Sequence, residues 1–125
     1  QDAAYYPQDN KGNNSLVCNI SLHKITENMG THFIIPKSHL GKVHNYKLTK
    51  GSKFQSGQRT INANLNEKDA KVIESESGDV TFYHPRLIHR SGYNSSNKIR
   101  LSAIARIFNP TNKDFKAFDK LSSFI

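Results

Sequence analysis

Tryptophan is absent from the 125 residues, cysteine and methionine occur once each, and proline four times. A single cysteine, Cys18, excludes an intramolecular disulfide framework. No charged head followed by an apolar stretch opens the chain, so no secretory leader is recognised and a reducing, cytoplasmic setting is the expectation. Long apolar runs are missing too. Stretches such as Phe33 to Pro36 fall far short of the roughly 20 residues that cross a bilayer, and no membrane span is expected. Acidic residues are scarce, with 10 Asp+Glu against 18 Lys+Arg and a formal net charge of +8. The basic residues, from Lys11 through Lys24, Lys37, Lys42, Lys47, Lys50 and Lys53 onwards, form neither a run nor a basic–aromatic repeat. They read as a solvated surface, and no nucleic-acid partner is expected.

What is present suits one domain over residues 1–125 with a modest core, since only 35% of the residues are hydrophobic. There is no internal repeat and no heptad pattern. Ser15 to His23 alternates with period two: Leu16, Cys18, Ile20 and Leu22 share one face, Asn19, Ser21 and His23 the other. His32 to Pro36 predicts a short strand ended by proline, and Val80 to Tyr83 predicts another after the turn pair Gly78-Asp79. Ile99 to Phe108 predicts the longest strand. It places Ile99, Leu101, Ala103, Ala105 and Ile107 on one face and Arg100, Ser102, Ile104 and Arg106 on the other. Lys47 to Ala70 (47–70) is polar and aperiodic and reads as a long loop. After Asn109-Pro110, the spacing of Phe115, Phe118 and Leu121 behind Thr111 or Asn112 predicts a short C-terminal helix. The fold class is mainly β, with a sandwich, barrel or jelly roll open at this level.

Chemistry concentrates in Gly78 to Ile107. His89 follows the apolar pair Leu87-Ile88 and precedes the turn-rich Ser91-Gly92-Tyr93-Asn94; Arg100 comes eleven residues later, at the start of the long strand. An arginine on an interior face needs a partner, because an unpaired buried charge is costly. A carboxylate suits its planar fork, and Ser102, on the same face, offers a hydroxyl. Asp2 and His89 together would supply two members of a 2-His-1-carboxylate triad, which leaves positions on a non-haem Fe(II) open to co-substrate and oxygen. The alternatives are a turn histidine, a terminal aspartate and an outward strand arginine. His23, His32, His39, His44 and His84 lack H-x-H or H-x3-H spacing, so packing or surface roles are expected of them. Tyr5 and Tyr6 read either as lining for a substrate pocket or as half-buried tyrosines. Cys18 reads as a small buried hydrophobe.

Four blocks in order resemble the phytanoyl-CoA dioxygenase family of Fe(II)/2-oxoglutarate-dependent oxygenases. QDAAYYP is similar to the tail of that family's H-x-D segment, and ITENMGTHFIIPKSH to its "ten-G-x-l-x-x-iPGSH" segment, with Lys37 where glycine is usual. GDVTFYHPRLIHRSGYN is similar to the distal-histidine segment and IRLSA to the R-x-S strand. The resemblance implies a double-stranded β-helix (jelly roll) with Asp2 and His89 as iron ligands. It implies that Arg100, assisted by Ser102, holds the distal carboxylate of the co-substrate 2-oxoglutarate. The implied activity is hydroxylation of a small or lipid-like molecule by O2 with release of succinate and CO2. A carboxylate at Asp2 favours hydroxylation over halogenation. In this alignment the family's first histidine falls immediately before Gln1, and its N-terminal elements precede the chain. A C-terminal core part of a longer enzyme is therefore expected. A non-catalytic or degenerate jelly roll binding an anionic ligand or nucleic acid is the alternative.

Overall fold

The computed structural model describes residues 1–5, 14–48, 58–60 and 65–109. Among these the strands are β1 (Ser15–Ser21), β2 (His32–Ile34), β3 (Tyr46–Leu48), β4 (Gln58–Thr60), β5 (Lys71–Ile73), β6 (Val80–Tyr83), β7 (His89–Ser91) and β8 (Ser102–Phe108). The only helical elements among the described residues are 3-10 turns at Asp2–Tyr5, Ser38–Leu40 and Glu67–Asp69. β1 is the centre of one antiparallel sheet, in the order β6-β1-β8, and β2 the centre of a second, in the order β5-β2-β7. Tyr83 of β6 meets the rings of His32 on β2 and His89 on β7, so the two sheets face each other across these side chains. The chain is mainly β and has the jelly-roll fold.

The alternation of β1 is real, but its orientation is informative. Val17 pairs with Tyr83 on one side and Arg106 on the other, and Ser21 with Ser102. Partners directly opposite in a ladder share a face. The face turned toward the second sheet therefore carries Val17, Asn19, Ser21, Tyr83, Ser102, Ile104 and Arg106, the more polar of the two. Val17, Asn19 and Ser21 are buried there. Leu16, Val80, Phe82 and Ile107 lie on the opposite face and are exposed, Phe82 by 56%. A β-sheet ordinarily buries its apolar face; here the more polar face is the inward one.

The boundaries refine the sequence reading. β8 begins at Ser102, so Arg100 precedes the long strand instead of opening it. His89 opens β7, with Leu87 and Ile88 buried just before it. Within the stretch 47–70, β3 and β4 form an antiparallel ladder that starts at Tyr46 and aligns Lys47 with Arg59. A ladder thus stands where aperiodic composition suggested loop alone; three-residue strands are too short to show alternation. The helix expected after Pro110 lies outside the described residues.

Candidate metal centre and co-substrate site

The amino-terminal segment is held against the turn that leads into β7. The Ala3 amide donates to the Pro85 carbonyl at 3.0 Å. The Gln1 side chain donates to the Arg86 carbonyl at 2.7 Å and accepts from the His44 amide at 2.8 Å. These contacts bring Asp2, 7% exposed, beside His89, although the two are 87 positions apart in sequence. Asp2 Oδ1 lies 3.5 Å from His89 Nε2.

Each member of the pair is tied from behind. His89 Nδ1 lies 3.0 Å from the Leu87 carbonyl, an acceptor, which fixes the proton on Nδ1 and leaves the Nε2 lone pair facing Asp2. Burial pushes the imidazole's pKa below its ordinary value, against the opposing pull of the Asp2 charge and the Leu87 hydrogen bond. Arg106 Nη2 donates to Asp2 Oδ2 at 3.1 Å, which occupies one carboxylate oxygen and leaves Oδ1 toward His89. Two lone-pair donors thus face each other with no proton between them. That arrangement suits a shared cation: ligand–metal distances of roughly 2.1 Å let donors 3.5 Å apart reach a single ion. No group of three or more His, Cys, Asp or Glu side chains with metal-holding geometry occurs among the described residues, so the pair accounts for two donors. The donor set therefore fits a ferrous ion in kind, and in number with one further ligand.

Around this pair lie Tyr83 and His32. Ring centroids are 5.1 Å apart for Tyr83 and His89 and 5.9 Å for His32 and His89. Burial and the Asp2 charge push the Tyr83 hydroxyl's pKa up, so it stays protonated.

Arg100 is seated by two contacts. Its Nη1 donates to the Gly30 carbonyl at 2.6 Å and its Nη2 to Ser91 Oγ at 3.2 Å; burial pushes its pKa down. Gly30 sits at φ +76° and packs so closely on the Gly92–Asn94 turn that a Cβ would come within 2.8 Å of the Gly92 carbonyl oxygen. Only glycine fits there, and its carbonyl is thereby aimed at the guanidinium. Ser91 and His89 share a face of β7, two residues or roughly 6.6 Å apart. Ser102 opens β8 on the inward face, paired with Ser21, and the Arg100 hydrogen bonds go to Gly30 and Ser91 instead.

The structure therefore brings Asp2 and His89 together and seats Arg100 one strand step away. Tyr6 lies outside the described residues, and for Tyr5 only the backbone, in the 3-10 turn, is described. Sequence reasoning missed Arg106, Ser91 and Gly30 as parts of the site. The signal for Arg106 was its shared face with Arg100, and for Ser91 its two-residue spacing from His89.

Two facing antiparallel sheets with a carboxylate–imidazole pair between them define a jelly-roll protein. Residues 1–102 match the sequence profile of the phytanoyl-CoA dioxygenase family, and the chain belongs to that family. It is 33% identical over 107 residues to the peroxisomal phytanoyl-CoA dioxygenase of Bos taurus, an alignment covering 80% of this chain and 30% of that protein. It is 31% identical over 98 residues to a probable alpha-ketoglutarate-dependent hypophosphite dioxygenase of Stutzerimonas stutzeri, covering 77% of this chain and 34% of that one. The chain thus spans about a third of the length of these curated relatives. Among solved structures it is similar to the epimerase SnoN in complex with Fe3+, alpha ketoglutarate and nogalamycin RO. The TM-score is 0.59 at 24% identity, covering 86% of this chain and 41% of the other.

Proposed function

We propose that this chain carries the core of the active site of a non-haem Fe(II)/2-oxoglutarate-dependent dioxygenase that hydroxylates a small or lipid-like organic molecule. The observation that carries the reading is the opposition of Asp2 Oδ1 and His89 Nε2 at 3.5 Å, both back-tied, with Arg100 seated one strand step from His89. Asp2 and His89 would hold the iron. Its third protein ligand falls, by the family resemblance, on the position preceding Gln1.

Iron and 2-oxoglutarate together supply the oxygen activation, with succinate and CO2 as co-products. The chain's own residues do the rest. Arg100 binds the distal carboxylate through its planar fork, pre-oriented by Gly30 and Ser91 so that little ordering cost remains at binding. Ser102 stands at the mouth of β8 to add a hydroxyl contact. Arg106 keeps Asp2 presenting a single free oxygen. The buried faces of Val17 and the sheet-facing rings exclude bulk water from the pair. Tyr5 and Tyr6, adjoining Asp2 in sequence, are the candidates for contact with the organic substrate.

Thermal shift tests the co-substrate role. Ligands that bind the native state stabilise it by mass action, so Fe(II) with 2-oxoglutarate should raise Tm above Fe(II) alone. Arg100→Ala should abolish the 2-oxoglutarate increment and keep the metal's. An increment unchanged in Arg100→Ala would remove Arg100 from the site.

A further inference from the structure

His32 occupies the interior face between the two anchor points. In the β2–β7 ladder it stands opposite Ser91, and Ile34 stands opposite His89. Opposed residues share a face, so His32 is the cross-strand neighbour of the serine that seats Arg100 and the diagonal neighbour of His89. Its ring centroid is 5.9 Å from that of His89, and Tyr83 of the facing sheet closes over it at 6.3 Å. Its ring is only partly exposed, and it makes these contacts without a hydrogen bond from either ring nitrogen to another described residue. A half-buried imidazole with no ring-nitrogen hydrogen bond to a described residue, set beside Ser91 and His89, can offer its nitrogens to a polar ligand.

We infer that His32 is a binding residue for the dicarboxylate co-substrate, hydrogen-bonding the molecule between the end held by Arg100 and the end at Asp2 and His89. This rests on the 2-oxoglutarate reading above. A five-carbon dicarboxylate laid from Arg100 toward His89 crosses one strand step of the β7 face, and the side chain opposite that step on β2 is His32. The ring is suited to the task as a neutral group. Burial, with His89 and Arg100 nearby, pushes its pKa down from 6.5 to about 4, so at neutral pH it offers one N–H donor and one acceptor. Its N–H can meet a carboxylate or keto oxygen without adding a second cation to a site where Arg100 already supplies one. Metal ligation by His32 is not required and is not part of the inference.

The test is anaerobic titration calorimetry of 2-oxoglutarate into the Fe(II)-loaded protein, compared with His32→Phe, which keeps a ring and loses both nitrogens, and His32→Gln, which keeps a donor. One lost hydrogen bond corresponds to roughly a tenfold weaker Kd. His32→Phe should show that loss with Fe(II) affinity unchanged, and His32→Gln should recover most of it. Equal 2-oxoglutarate affinity in His32→Phe overturns the inference. So does a parallel loss of Fe(II) affinity, which would mean His32 acts through His89. Where His32→Phe does not fold, nitrogen NMR of the unaltered Zn(II)-loaded protein decides: the His32 ring signals must move on adding 2-oxoglutarate, and unmoved signals overturn it. If the unaltered protein takes up no 2-oxoglutarate at all, the oxygenase reading itself fails and the role of His32 with it.

Discussion

Arg106 links β8 to the amino-terminal turn through a single carboxylate, and that contact sets what its loss would do. Arg106→Leu removes the ion pair on Asp2 Oδ2 and lets the carboxylate rotate away from His89. Partners behind a metal ligand typically carry a 10- to 100-fold effect on affinity, so divalent-ion binding, read by competition with a chelating dye, should weaken by about that range. Arg106→Lys should fall between, because an ammonium keeps the charge and lacks the planar fork. Histidine gives the pH dependence. With its pKa lowered to about 4 from 6.5, His32 takes up a proton more readily in the unfolded chain. Its contribution to stability is complete above pH 6.5 and is lost as pH falls toward 4, at most about 3 kcal/mol in all. His89, also lowered, acts in the same direction. Denaturant melts from pH 7 to 4 should show a steeper loss for the unaltered protein than for His32→Phe; parallel curves would contradict the assignment. The sequence brought Asp2, His89 and Arg100 into view through the family resemblance of the segments that hold them, and the fold places Asp2 beside His89. His32, Ser91 and Gly30 were not legible there, because their contribution is a cross-strand placement that sequence separation conceals.

The strands themselves were legible wherever alternation ran long enough. β6 spans the expected Val80–Tyr83, and β1 falls within Ser15 to His23. Ends were not legible. His23 Nε2 accepts the Leu101 amide at 3.0 Å, so the approach to β8 is bonded to a side chain and the regular ladder starts only at Ser102. Turns carry two predictions. Lys37, just after Pro36, adopts φ 63°, a left-handed conformation that costs a side-chain-bearing residue roughly 1–2 kcal/mol. Its position matches the glycine of the family segment, and Lys37→Gly should raise stability by about 1 kcal/mol or less, since glycine also loosens the unfolded chain. Gly30→Ala should do the reverse. The clash with the Gly92 carbonyl would displace the Gly30 oxygen from Arg100, lowering both Tm and 2-oxoglutarate affinity. A Gly30→Ala protein with native affinity would show that the carbonyl does not orient the guanidinium.

Across the whole molecule, the distribution of apolar surface is the feature that composition alone did not foretell. The β6-β1-β8 sheet turns Asn19, Ser21, Ser102 and Arg106 toward the second sheet. Its apolar face, with Leu16, Val80, Phe82 and Ile107, is left exposed. An apolar patch of this kind favours association. The chain should therefore bind a hydrophobic dye and self-associate with rising concentration, and Phe82→Lys with Ile107→Lys should reduce both without changing affinity for Fe(II). Sedimentation velocity of the two proteins measures the effect.

The central claim is that Asp2 and His89 are two ligands of one iron and that 2-oxoglutarate spans from that iron to Arg100. Anaerobic absorbance titration with Fe(II) and 2-oxoglutarate tests it most directly, on this chain and on the same chain with a histidine placed before Gln1. A metal-to-ligand charge-transfer band is the predicted result in the histidine-bearing protein, lost in Asp2→Ala, His89→Ala and Arg100→Ala. A folded, histidine-bearing protein that shows no such band would contradict the account.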